Sequence, residues 1–256
     1  MVDNLGALAD ANLAHTWAAI ARLSGGPVDR FGSLQLAATG IPAAFFNGAY
    51  LAAPTDDPDG CIRHAIEFMA VAGVPWLLWI REGVDDALMA AGRRASLRDV
   101  GGPPAMGLAS IRSVPDPPAG LEVTAVTDAA GIDVHCELLS RAFDMPAAIA
   151  HRLVNEQTVT DPTVGVVIGH VGGVPVSTAL VCVSGATAGV YNVATPPEHQ
   201  RKGYGAALTW AAIAEGQRRG CDHAILQASA AGRPVYEAMG FVHLGRCVQL
   251  EGPPAA

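Results

Sequence analysis

Leu5, Leu8, Leu13, Trp17, Ile20 and Leu23 fall near one face of a helix, and Gly25-Gly26 ends it. Beyond it the pattern shortens. Leu34 to Ala38 and Ala43 to Ala53 read as strands, and Asp59 to Ala72 as a helix with Thr55 or Asp59 available as its cap. Pro75 to Ile80 is a short buried strand, Val84 to Ala91 a short helix, and strand-like runs follow near Leu97 and Met106. A second series starts with a strand at Leu121 to Val126 and a helix from Ala129 to Ala142, then a polar helical stretch around Ala147 to Gln157. Thr163 to Thr195 is long and nearly uncharged, which raises a membrane span. The Gly172-Gly173 turn signal, Pro175 and the many valines and threonines favour three strands joined by tight turns instead. A helix from Ala206 to Arg219, a strand from Ala224 to Ala228, a short helix near Pro234 to Met239 and a strand near Cys247 to Leu250 complete the chain.

Strand and helix alternate in both series, which predicts a mixed α/β fold with helices covering mixed, mostly antiparallel sheets. Between the series lies SVPDPPAG, Ser113 to Gly120, whose prolines and glycine make a stiff connector with little helical tendency. The expected division is therefore 1–115 and 116–256, two copies of one order of elements with little identity between them.

Half of the 256 residues are hydrophobic, 16% are charged and the formal net charge is −8. That balance argues against nucleic acid or an anionic membrane as partner, since both call for a cationic surface. Asp3, Asp10 and Arg22 interrupt the first helix, which also lacks the charged start of a targeting segment. The five scattered cysteines contain no CxxC pair and read as reduced thiols in a cytoplasmic protein. The eight histidines form no HExxH pair, so no metal is expected. The acidic run Thr55 to Gly60 lacks the further ligands of a calcium loop and reads as a turn capping the next helix.

The chemistry concentrates at Pro196 to Gly220, PPEHQRKGYGAALTWAAIAEGQRRG. An apolar strand precedes this loop and a helix follows it, with Gly203 and Gly205 at the helix entrance. The first turn of a helix leaves N–H groups without partners at the positive end of its dipole, a seat for phosphate. A β-carbon at either glycine would hold a diphosphate away from those groups. Neither the spacing of a Walker loop nor that of a dinucleotide fingerprint is present, because Leu208 stands at the third glycine place of the latter. Gln200, Gly203 and Gly205 instead spell Q-x-x-G-x-G.

This stretch resembles the signature of the GCN5-related N-acetyltransferases (GNAT family), Q/R-x-x-G-x-G/A after a central strand. A second stretch, AILQASAAGRPVYEAMGF from Ala224 to Phe241, resembles the family's next strand, with Ser229 at its end and a short helix carrying Tyr236. The likeness covers Leu121 to Leu250 closely and the first half only in the order of elements. It implies tandem GNAT-like folds and an enzyme that moves an acetyl group from acetyl-CoA to an amine by direct attack on the thioester. The acceptor would be a small-molecule amine or a protein amino group, and the protein a monomer or homodimer. A non-catalytic CoA-binding protein of the same fold is the alternative.

Carried over, the resemblance implies main-chain contacts to the pantetheine from Val193, Ala194 and Thr195, and a diphosphate seat from Arg201, Lys202, Gly203, Tyr204, Gly205 and Ala206. Arg201 and Lys202 would add cationic attraction, Gln200 would brace the loop, and Ser229 would meet the cofactor's amide chain. Tyr236 would donate a proton to the departing thiolate, as a phenol of reference pKa about 10 can do within hydrogen-bond reach. Main-chain N–H groups near Val193 would polarise the thioester carbonyl. Where histone-type relatives place a glutamate base, this chain has Gly189 or Val190, so the general base is open between water and Glu198 or His199. In the first half the corresponding strand reads as PWLLWI, running into Asp85 and Asp86, whose acids would repel phosphate. That half is expected to keep the fold without the cofactor site.

Overall fold

The structure, a computed structural model, describes residues 2–111 and 113–252. The chain forms two compact units. The first is Met1–Met106 with Gln227–Gly232 and Val242–Ala256, and the second is Gly107–Leu226 with Arg233–Phe241.

In the first unit, α1 (Val2–Leu23) precedes β1 (Val28–Phe31), β2 (Leu34–Ala38), a 3-10 turn at Ala44–Phe46 and β3 (Asn47–Leu51). Then come α2 (Pro58–Ala72), β4 (Leu77–Arg81), α3 (Asp86–Arg94), β5 (Arg98–Asp99) and β6 (Pro104–Leu108). β1, β2 and β3 pair antiparallel, whereas β3 and β4 are parallel, with Tyr50 opposite Trp79. Alternation along the strands sends Leu34, Leu36, Ala49, Leu78 and Ile80 to one face, where they pack with Ile62, Ala65 and Met69 of α2. The opposite face carries Tyr50 and Trp79 and is covered by α1, whose Trp17 stacks on Tyr50 at 5.7 Å. On this face the Asp10 carboxylate takes bonds from Arg81 Nε and Nη2, and Arg81 Nη1 donates to the Leu244 carbonyl. Such a half-buried fork of charges is held together by its complementary geometry.

The second unit begins with β7 (Leu121–Ala125), α4 (Ala129–Phe143), α5 (Ala147–Leu153) and α6 (Glu156–Thr160). Asn155 caps α6, so the polar stretch read as one helix is two short ones. β8 (Val164–Val171), β9 (Val174–Ser184) and β10 (Thr187–Ala194) form an antiparallel meander with β7, which resolves the valine-rich stretch as strands. No helix among the described residues is long and apolar enough to cross a membrane. After α7 (Tyr204–Arg218) come β11 (His223–Gln227), parallel to β10, and α8 (Arg233–Ala238).

The last strand, β12 (Val242–Glu251), departs from the expected division at 115/116. It pairs antiparallel with β4 over five positions, from Cys247 opposite Arg81 to Glu251 opposite Leu77, and so completes the sheet of the first unit. β1 is also absent from the sequence reading, because Val28-Asp29-Arg30-Phe31 carries two exposed charges at its centre.

This topology corrects one expectation about the first half. The parallel pair β3–β4 in the first unit matches the parallel pair β10–β11 in the second. The counterpart of the β10–α7 loop is therefore the β3–α2 connection, not the turn from β4 to α3. The acids remain, on a different helix. Asp57 caps α2 by accepting from Gly60 N–H at 2.8 Å, and Pro58 and Asp59 follow in its first turn. Asp85, which caps α3, also accepts from Thr55 N–H in the β3–α2 connection at 2.9 Å.

Candidate functional site

β10 and β11 are in register at three positions, Thr187 with His223, Ala188 with Ala224 and Gly189 with Ile225. On its other edge β10 follows β9 as far as Tyr191 and resumes at Ala194, one residue out of step. The irregularity sits at Asn192, whose φ of 51° lies in the left-handed region that asparagine tolerates better than most residues. The slip takes Asn192 and Val193 out of register with β9. Ala194 and Thr195 are held differently. Ser177 Oγ donates to the Ala194 carbonyl at 3.0 Å and lies 2.8 Å from Thr195 Oγ1, and Gln200 Nε2 donates to the Thr195 carbonyl at 3.0 Å. Gln200 thus ties the loop to the end of β10.

The loop continues through a 3-10 turn at Pro197–His199 to Arg201, at φ 60°, and Gly203, at φ 80°. Gly203 is the N-cap of α7 and no side chain caps the helix. The first intrahelical bond runs from Ala207 N–H to the Gly203 carbonyl, so the N–H groups of Tyr204, Gly205 and Ala206 have no acceptor within the helix. Asp or Asn side chains close the same end of α2, α3, α4 and α6. The two glycines differ in what requires them. Gly203 needs its left-handed backbone, whereas Gly205 has no such φ, and a β-carbon there would meet only Thr195 Oγ1, at an ordinary 3.6 Å. The protein's own packing leaves that space open. Arg201 and Lys202 are exposed beside it, and Lys202 Nζ reaches the Glu198 carbonyl at 3.4 Å.

α8 supplies Tyr236, whose ring lies 5.9 Å from that of Phe241. Thr209 Oγ1 of α7 donates to the Gly205 carbonyl at 2.9 Å. Burial pushes the phenol's pKa up, with Thr209 acting the other way, so Tyr236 keeps its proton through neutral pH. Ser229 follows β11 and accepts from Gly232 N–H at 3.0 Å, which closes a tight turn. Its oxygen has a structural task, and its own proton is left for another partner.

No carboxylate occupies Gly189 or Val190. Glu198 is ion-paired to Arg141, and a main-chain bond followed by that guanidinium holds it below the usual carboxylate range, which makes it a poor base. All five cysteines are free and buried, and burial raises the thiols of Cys61, Cys136, Cys221 and Cys247. Thiol nucleophiles are thereby disfavoured. Among the described residues no group of three His, Cys, Asp or Glu side chains could hold a metal ion.

The site also leans on a buried histidine that the sequence did not single out. Thr178 Oγ1 donates to the Val167 carbonyl at 2.8 Å, so His135 Nδ1, 2.6 Å away, is the donor to Thr178. Desolvation lowers the pKa of His135 to about 3. Its folded pKa lies below the unfolded value of about 6.5, so the unfolded chain binds the extra proton between the two. The stability from this group is complete above pH 6.5 and is lost as pH falls towards 3, at about 1.4 kcal/mol per pH unit. Urea unfolding of His135→Gln across this range should show a pH slope shallower by that amount; an unchanged slope overturns the assignment.

Residues 135–241 match the model of the acetyltransferase (GNAT) family. The whole chain is similar in fold to the GCN5-related N-acetyltransferase from Kribbella flavida, at 21% identity and TM-score 0.73 with 95% of each chain covered. It is also similar to a tandem GNAT protein from the clavulanic acid biosynthesis pathway, solved without AcCoA, at 15% identity and TM-score 0.60 over 89% of this chain and 81% of that one. A third likeness is to the GCN5-related N-acetyltransferase from Sphaerobacter thermophilus, at 15% identity and TM-score 0.56 over 96% and 92% of the two chains. No curated protein matches the chain in sequence. At these identities the neighbours show the fold, and their coverage extends the GNAT resemblance to the first half.

Proposed function

Given a GNAT-family domain in the second half of the chain, we propose that this protein is an N-acyltransferase that takes its acyl group from acetyl-CoA. The carrying observation is the uncapped entrance of α7, with open space at Gly205 and the end of β10 beside it. The residues present fit the carrier. Main-chain N–H groups of Tyr204, Gly205 and Ala206 would hold the diphosphate, with Arg201 and Lys202 supplying positive charge. The Ala194 and Thr195 carbonyls are already engaged, so the main chain of Val193, freed by the slip at Asn192, is the better-placed partner for the pantetheine amides.

Acetyl-CoA supplies a thioester whose acyl carbon takes an amine and releases a thiolate. Tyr236 holds a proton at its hydroxyl for that thiolate. Glu198 is held by Arg141, so water, or the neutral fraction of the amine itself, serves as the base. The first unit has no equivalent seat. Asp57 and Asp59 fill the entrance of α2, and the Asp85 carboxylate takes the Thr55 N–H of the matching loop. Its role is structural, with one cofactor per chain.

Thermal unfolding with added acetyl-CoA, followed by CoA-release assays over a panel of small amines and lysine peptides, tests this reading. The expected result is a rise in Tm that grows with acetyl-CoA concentration, and release that depends on one class of amine. Stabilisation with no amine-dependent release would make this a CoA-binding protein without turnover. No stabilisation at all would overturn the site.

A further inference from the structure

We propose that Ser177 is a positioning residue for the pantetheine arm of the carrier. It turns the Thr195 hydroxyl so that lone pairs, not the proton, face the space beside Gly205, where they accept a hydrogen bond from a donor of that arm. This rests on the reading above, in which acetyl-CoA is the carrier. Ser177 is fully buried in β9. Alternation along the strand puts Ser177 and Thr178 on opposite faces, and Thr178 meets His135 of α4. Ser177 stands opposite Gly169 of β8, where an added β-carbon would run into Leu208, so it lies on the α7 face.

A buried hydroxyl needs partners, and those of Ser177 both belong to the end of β10. Its single proton goes to the Ala194 carbonyl at 3.0 Å. Thr195 Oγ1, 2.8 Å away, is therefore the donor in the second bond. With that proton committed, Thr195 Oγ1 has only lone pairs to offer. Thr195 is half-buried, and its Oγ1 is what a β-carbon at Gly205 would meet, at 3.6 Å. An acceptor thus stands beside the free N–H groups of the first turn of α7. The two kinds of group sort the two parts of the carrier. The diphosphate offers only acceptors at neutral pH, so it belongs on the N–H groups and is repelled by the Thr195 lone pairs. The arm carries amide N–H groups and a hydroxyl, which are donors and suit Thr195 Oγ1. The hydroxyl pair thereby fixes which way round the carrier lies, diphosphate on α7 and arm towards β10.

The test is titration calorimetry with acetyl-CoA. Thr195→Val, which keeps the shape and loses the hydroxyl, should bind about fivefold more weakly, the scale of one neutral hydrogen bond. KM for acetyl-CoA should rise with it while kcat holds. Thr195→Ser keeps the hydroxyl and should bind like wild type. Ser177→Ala should weaken binding by itself but add nothing in the Thr195→Val background, because it acts only through that hydroxyl. ADP, which has a diphosphate and no arm, should bind Thr195→Val no more weakly than wild type, as followed by thermal shift. Full affinity for acetyl-CoA in Thr195→Val, or an additive loss in the double variant, overturns the proposal. An equal loss for ADP also overturns it, leaving the diphosphate seat in place and the hydroxyl pair as a strut for β10. A wild-type protein that binds no acetyl-CoA sinks the cofactor reading and this proposal with it. Where ADP binds too weakly to follow, the double variant decides. If the valine variant proves unstable, Thr195→Ala takes its place in the same titrations.

Discussion

Replacing Gly205 with valine should weaken acetyl-CoA binding on the order of 100-fold while leaving the unliganded fold nearly as stable; alanine, which the family signature accepts at this position, should do far less. The two halves of this expectation have separate causes. A hydrogen bond to a charged group contributes about 1.5–3 kcal/mol, and about 1.4 kcal/mol is a factor of ten. Displacing a phosphate from even one or two of the N–H groups at Tyr204, Gly205 and Ala206 therefore reaches two powers of ten. The first added carbon would meet only Thr195 Oγ1, at 3.6 Å. Valine is also a better helix former than glycine. Titration calorimetry with acetyl-CoA beside a denaturant curve checks both halves. Equal affinity in the variant would remove the diphosphate seat from α7. Gly203 is a less clean target, since its φ of 80° means that any side chain there strains the loop whether or not a ligand is bound.

The second large effect is expected at Tyr236. Tyr236→Phe keeps the ring against Phe241 and removes only the hydroxyl. Positioned acids contribute about 10²–10⁴-fold, so kcat should drop on the order of 100-fold or more, with little change in KM for acetyl-CoA. The protein should lose no more than about 1.5 kcal/mol of stability, the net value of one hydrogen bond. The pH dependence follows from the raised phenol pKa. The acid form is required, it persists through neutral pH, and activity falls only as pH climbs past that elevated value. A variant with wild-type kcat would return Tyr236 to a packing role.

Much of this arrangement is legible locally. The Q-x-x-G-x-G spacing, the helix after it and the tyrosine on the next short helix are neighbours in sequence, and each follows from turn and cap chemistry at its own position. What was not legible depends on partners far along the chain. Cys247 to Leu250 is recognisable as a strand, but nothing within it says that its partner is β4. The parallel pairing of β3 with β4 is equally invisible, and without it the first-half counterpart of the β10–α7 loop is assigned to the wrong helix. Asn192 looks like an ordinary polar residue in an apolar run. Only its left-handed backbone shows where β10 slips, although an asparagine flanked by β-formers is the available hint.

The position of β12 has a consequence for biosynthesis. Residues up to 106 emerge from the ribosome well over a hundred positions ahead of the segment that hydrogen-bonds along β4. During that interval β4 presents a bare, apolar border (Leu77-Leu78-Trp79-Ile80) of the kind that recruits foreign strands. Nascent chains stalled or cut short before Val242 would carry this sticky margin permanently, so chaperone demand in the cell should track translation of the final segment rather than of Gly107 to Leu226.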